Sequence, residues 1–180
     1  MILACQKSLI KLLETIPGIE KCVYRKANFH NFDVHSPLLE LPRILGSTLD
    51  NIPLPIPNLK ILNTQPIKLE LPVGSFLKFG IIWAAKASNP TAAKRSCKLK
   101  CFQSLLDIAG VTFYSLQKEA GVDIQLLEIL PILDLSSELN DFADTTGIIA
   151  KLDLVITVDT AVAHLTGKLG KPVWILLPCV

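Results

Sequence analysis

Asp159, Thr160, Ala161 and His164 stand where an apolar run turns into a helical pattern, and residues of these types in this order can hold a phosphate. Residues 154–158 read Leu-Val-Ile-Thr-Val, which suits a central parallel strand, and residues 160–169 read as a helix stopped by Gly170. Ligands of open parallel sheets bind beyond the carboxyl ends of the strands. A helix that starts there offers unpaired backbone N–H groups and the positive end of its dipole to an anion. Thr160 adds a hydroxyl, Ala161 keeps the approach open, and His164, four residues after Thr160, lies one turn on and can donate to the same ligand. The pattern predicts a diphosphate cradle that needs no glycine-rich loop.

Two of these residues have plainer readings. Aspartate is a favoured helix N-cap, and a cap alone would explain Asp159, whose charge sits awkwardly beside a phosphate. Cap and site are compatible if the carboxylate is occupied with backbone N–H groups while Thr160 and His164 face the ligand. A histidine on a helix is usually structural, but the position of His164 just after a strand end favours a ligand role.

The elements that position this turn follow an α/β pattern, with short apolar runs alternating with amphipathic stretches. Strands are expected at residues 2–5, 21–24 and 32–35, with a helix through Leu9, Leu12 and Leu13 ended by Pro17-Gly18. A short helix is expected over 38–45, closed by Gly46. Pro53, Pro55, Pro57, Pro66 and Pro72 then stiffen an extended linker. Beyond it, strands are expected at 77–84, 111–116, 132–135, 154–158 and 173–177. Helices are expected from Lys98, over 122–129, over 141–151 and over 160–169. The first of these carries Leu99, Phe102, Leu105 and Leu106 on one face.

Composition narrows the partners. With 18 basic against 16 acidic side chains among 180 residues, spread along the chain, there is no footprint of the kind that duplex nucleic acid demands. An anionic small molecule needs only one local positive site. Cys5, Cys22, Cys97, Cys101 and Cys179 are odd in number and lack paired CxxC spacing, so they read as reduced thiols. Cys97 and Cys101, four apart on an expected helix, have no second ligand pair, and no metal site and no cofactor are expected. The opening Met1-Ile2-Leu3-Ala4-Cys5 lacks the basic leader and apolar stretch of a signal peptide, and no apolar run approaches the ~18 residues of a membrane span. No transmembrane segment is expected, and the cytoplasm is the default compartment. The chain stops within an apolar strand, Trp174 to Val180, without a covering helix, and so reads as a fragment.

The block from Asp153 to Leu165, with Gly167, Leu169-Gly170-Lys171-Pro172-Val173-Trp174 and Leu176-Leu177-Pro178, resembles the donor-site block of glycosyltransferase family 9, the heptosyltransferase-like family. It is most similar to the bacterial members that occur behind tetratricopeptide repeats. Further segments agree in order: Phe32-Asp33-Val34-His35, Pro37-Leu38-Leu39, Leu41-Pro42-Arg43-Ile44-Leu45-Gly46, Phe113-Tyr114-Ser115-Leu116-Gln117-Lys118, and Asp141-Phe142-Ala143-Asp144-Thr145.

The resemblance implies a GT-B fold, in which two Rossmann-like domains face each other across a cleft. Residues 1–52 would be part of the first, acceptor-side domain, 53–75 the linker, and 76–180 most of the second, donor-binding domain. It also implies diphosphate contacts at Thr160, Ala161 and His164, with Asp159 in the same turn. Relatives often carry Gly where Ala161 stands. Gln117 or Lys118 would meet the nucleotide, the alternative for Lys118 being an ordinary solvated lysine. The loop after Trp83 departs from the family, running Ala85-Lys86-Ala87-Ser88-Asn89-Pro90-Thr91-Ala92-Ala93-Lys94. The Arg95-Ser96 pair that follows matches it, and a guanidinium is suited to phosphate. No catalytic base is assigned, because the segment expected to hold it would lie upstream of Met1, and neither His30 nor His35 acquires a role.

The implied activity is transfer of a sugar from a nucleotide-diphosphate-sugar donor to an acceptor hydroxyl, on a glycan, lipid or protein. The rivals are a non-catalytic nucleotide-sugar-binding remnant and a nucleotide-sugar epimerase of the same fold. A nicotinamide oxidoreductase would need a Gly-x-Gly-x-x-Gly turn after a strand, which this sequence lacks.

Overall fold

The computed structural model describes residues 1–27, 32–52, 59, 68–118 and 123–178. The first segment forms β1 (Ile2–Cys5), a 3-10 turn at Lys7–Leu9, α1 (Ile10–Leu13) and β2 (Lys21–Tyr24), with β1 and β2 paired in parallel. A 3-10 turn at Leu38–Glu40 leads into α2 (Leu41–Ile44). The strand expected at 32–35 is absent. Among the described residues no strand pairs with this stretch in a sheet, Val34 stays largely exposed, and the Phe32 ring meets His35 edge-on at 5.4 Å. Most of the proline-rich linker, 53–58 and 60–67, lies outside the described residues, as does His30. Leu59 and Leu69, both within it, pack against the core.

From residue 77 the chain builds one parallel sheet: β3 (Leu77–Ile82), β4 (Val111–Ser115), β5 (Ile132–Asp134), β6 (Leu154–Val158) and β7 (Val173–Leu176). The strand order is β5-β4-β3-β6-β7, and every pairing is parallel. The chain therefore moves outward from β3 in one direction and then returns to start again on its other side. This reversal is the hallmark of Rossmann-like sheets, and the crevice at the reversal is where such sheets bind ligands.

The pleat sends alternate residues to opposite faces, and both faces are apolar. Ile81 and Trp83 of the β3 run, Phe113 of β4, and Leu154 and Ile156 of β6 pack with Leu99, Phe102 and Leu127 on one side. Ile82, Tyr114 and Val155 pack on the other side with Ile148, Ile149 and Leu165 of α5 (Phe142–Ile149) and α6 (Ala161–Lys168). Leu12 of α1 belongs to this second cluster, so the first segment and the large sheet share a core. The Cβ of any larger residue at Gly80 would come within 2.7 Å of Leu152 and 2.9 Å of Leu116, which is why β3 carries a glycine at its centre. β7 lies at the sheet edge and leaves Trp174, Ile175 and Leu176 exposed.

Helices α3 (Ala92–Arg95) and α4 (Ile124–Ile129) are short. The helix expected from Lys98 is a 3-10 helix, Leu99–Leu105, because Leu99, Phe102 and Leu105 recur every third residue, the period of that tighter helix. Cys97 lies before it and donates to the Trp83 carbonyl at 3.6 Å, while Cys101 is exposed, so the two thiols do not share a helix face. At the end of α6, Gly170 adopts φ +68°, Lys171 N–H donates to the Thr166 carbonyl and Gly170 N–H to that of Gly167. This double closure stops the helix where the sequence placed its end. Among the described residues no helix is long and apolar enough to cross a membrane.

Candidate functional site

A cleft of about 810 Å³ opens at the carboxyl ends of β3 and β6, the two strands that flank the reversal. Its size lies in the range of small-molecule sites. Asp159, Thr160, Ala161 and His164 line one wall, and Arg95, Gln117 and Lys118 line the others. Arg95 and Asp159, 64 positions apart in the chain, thus meet in one cavity.

The wall at α6 is built by a change of backbone direction. β6 runs buried to Val158, then Thr160 takes the N-cap position with extended dihedrals, φ −137° and ψ 169°. The capping expectation for Asp159 is corrected here: it sits one residue before the cap, and the cap residue Thr160 makes no side-chain capping bond to α6. The physical reason is a distant competitor. Arg95 Nη1 donates to Asp159 Oδ2 at 2.9 Å, and a charge-assisted bond outcompetes a cap. Thr160 Oγ1 lies 3.0 Å from Thr157 Oγ1, which also donates to the Val158 carbonyl at 2.8 Å. Thr157 has one proton, so Thr160 is the donor between the two hydroxyls and keeps its lone pairs free. The first N–H groups of α6 belong to Ala161 and Val162, both on the cleft, and the imidazole of His164 is exposed one turn on.

The wall at β3 is held by two side chains that the sequence offered as ligand contacts. Gln117 is buried; its Oε1 accepts from Ala84 N–H at 3.0 Å and its Nε2 donates to the Ala84 carbonyl at 3.1 Å. The amide thereby extends the pairing of β3 and β4 past their ends. Ser96 Oγ accepts from Ala85 N–H at 2.9 Å and donates to the Ala92 carbonyl at 2.7 Å, folding the loop that presents Arg95. Ser96 is not on the cleft wall; its neighbour Arg95 is. Lys118 is exposed at the rim, where its Nζ donates to the Ser136 carbonyl at 3.2 Å.

Other residues on the cleft carried no sequence signal for it. Gln6 and Ser8 come from the end of β1 and the turn after it, which places the first segment at the same cavity. Asp141 N-caps α5, its Oδ1 accepting from Ala143 N–H at 2.9 Å and Asp144 N–H at 3.0 Å. Its Oδ2 pairs with Lys11 Nζ at 2.7 Å, tying α1 to α5. The Asp141 cap is legible locally, because aspartate stands immediately before the helix, but nothing in the sequence links it to a lysine 130 positions earlier.

The Asp141 carboxyl feels opposing forces. Burial pushes it up, but the Lys11 ammonium and the N–H groups of Asp144 and Ala143 together hold it below the ordinary carboxylate range. A lowered native value means that the stabilisation is complete above the unfolded value and is lost as pH falls through the native one. Thermal stability should therefore fall as pH drops below about 4. Asp141→Ala should cost about 0.5–2 kcal/mol at neutral pH and show a weaker acid dependence. Melting curves between neutral and acidic pH check this, and identical acid dependence in both proteins would refute it.

The charges on the cleft balance narrowly. Lys86, Arg95 and Lys118 face Asp141 and Asp159, each of which already has a cationic partner. Ile82, Leu116, Phe142 and Val162 supply apolar wall between them. Among the described residues there is no group of three or more His, Cys, Asp or Glu side chains that could hold a metal ion. The arrangement suits an organic anion whose charged part lies at α6. The chain matches no protein-family model, no curated protein and no solved structure, so the functional reading stands on the fold and this cleft.

Proposed function

We propose that the cleft binds the diphosphate of a nucleotide-sugar, and that the chain supplies the donor side of a glycosyltransferase of the GT-B type. The observation that carries the reading is the uncapped start of α6 at the strand-order reversal, with His164 one turn on and Arg95 across the cavity. In sugar transfer the leaving diphosphate gathers negative charge as the glycosidic bond breaks. Donors already in place at the helix start, with His164, then stabilise the transition state more than the ground state. The apolar wall offers a surface for the base and sugar rings. The resemblance to family 9 favours this ligand over other organic anions.

A second reading, a nucleotide-sugar-binding module without catalysis, is favoured by one feature. Both carboxylates on the cleft are held in ion pairs, so neither is poised to deprotonate an acceptor hydroxyl. Calorimetric titration with adenosine, guanosine, uridine and cytidine diphosphates tests the binding that both readings share. At least one should bind, and an absence of heat with all four in folded protein would end both. Release of nucleoside diphosphate from a bound nucleotide-sugar, on addition of an acceptor, would then separate transferase from module.

A further inference from the structure

The ion pair between Arg95 and Asp159 joins the end of α3, which follows β3, to the turn after β6, β3 and β6 being the two strands that flank the reversal. Both side chains line the cleft, and neither is sealed: Arg95 is 27% and Asp159 38% exposed. The guanidinium is also underused, since its Nε is buried with no hydrogen-bond partner among the described residues while Nη1 serves Asp159. Asp159 for its part leaves α6 uncapped. Its carboxylate lies beside the positive end of α6 and on the only arginine of the cleft's described lining. Those are the two features an anionic ligand would seek.

We infer that Asp159 is an internal counter-anion that sets a charge threshold for ligands of this cleft, making it a specificity-determining residue for polyphosphate over single phosphate groups. The inference rests on the reading that the cleft takes a diphosphate. A singly or doubly charged phosphate must either displace the carboxylate from Arg95, exchanging one anionic partner for another, or bind beside it against its repulsion. A diphosphate carries enough charge and length to share Arg95 while its remaining oxygens reach the α6 N–H groups and His164. The carboxylate thus lowers affinity for every anion, and lowers it most for those that can engage only one part of the site.

Inorganic phosphate and inorganic pyrophosphate probe this without any assumption about base or sugar. Calorimetric titration of the full chain should show pyrophosphate preferred over phosphate by roughly tenfold or more. In Asp159→Asn, which keeps the shape and removes the charge, pyrophosphate should bind roughly tenfold tighter and phosphate should gain still more, narrowing the preference. Asp159→Glu, which keeps the charge, should behave like the wild type. Unchanged or weaker binding in Asp159→Asn, or equal tightening in Asp159→Glu, overturns the inference while leaving the cleft an anion site. Equal wild-type affinity for phosphate and pyrophosphate overturns it too, even if Asp159→Asn fails to fold. Loss of all anion binding in both the wild type and Asp159→Asn would instead remove the diphosphate reading beneath it.

Discussion

His164→Ala should weaken nucleoside-diphosphate binding by roughly tenfold or more, with the fold untouched. A hydrogen bond to a charged partner contributes about 1.5–3 kcal/mol, and every 1.4 kcal/mol or so is a factor of ten in affinity. The imidazole is exposed on the cleft and its side chain is not part of either buried cluster, so its removal leaves no cavity. The loss should therefore appear in titration and not in the melting temperature. Thr160→Pro is a harsher probe of the same wall. Thr160 has φ −137°, far from the value near −65° that proline imposes, so this change distorts the turn as well as deleting an N–H group. Nucleoside-diphosphate affinity that survives His164→Ala in folded protein would place the phosphate elsewhere in the cleft.

The largest effect on stability is expected from Trp83→Ala. Trp83 has no exposed surface and packs among Ile81, Leu99, Phe102 and Phe113, so truncation should cost about 3–5 kcal/mol. Total stability of a domain is about 5–15 kcal/mol, so this is a large share of it. Phenylalanine should be tolerated far better than alanine, for a reason beyond its size. The Trp83 indole N–H is buried with no partner among the described residues, and Trp83→Phe removes that unsatisfied donor along with the lost volume. The two terms oppose each other, and the net cost should stay near or below about 1.5 kcal/mol. Denaturant melts of both variants check the difference. Equal losses for alanine and phenylalanine would show that the indole N–H finds a partner. Because the Trp83 carbonyl accepts from Cys97 N–H at 2.9 Å, damage here should also loosen the loop that carries Arg95 and weaken anion binding.

The elements around the site were legible because their signals are local. β6 and α6 follow from an apolar run, a polar turn and a helix stopped by Gly170, and all of these lie within one short window. The same holds for β1, β2 and β4, whose β-rich runs are bounded by turn residues. Where two local patterns compete, the sequence misleads by small steps. The 99–105 stretch reads as an α-helix until the three-residue spacing is weighed, and 32–35 reads as a strand although it joins no sheet among the described residues.

What the sequence determined by itself, then, was the α/β class of the fold and the strand-to-helix turn from β6 into α6. Tertiary structure alone decided what surrounds the turn. The order β5-β4-β3-β6-β7 makes β3 and β6 neighbours, and only then can Arg95 take Asp159 away from the helix start. The same ordering brings Gln117 to Ala84, and packing of α1 on α5 brings Lys11 to Asp141. These contacts span 33 to 130 positions, far beyond any helical or strand period. A side chain of given type has many possible partners at such distances, and hydrogen-bond geometry in the folded chain selects among them. That is why the sequence could name Asp159, Gln117 and Ser96 as polar groups near a site, while their roles in holding Arg95, Ala84 and Ala85 were set by the fold.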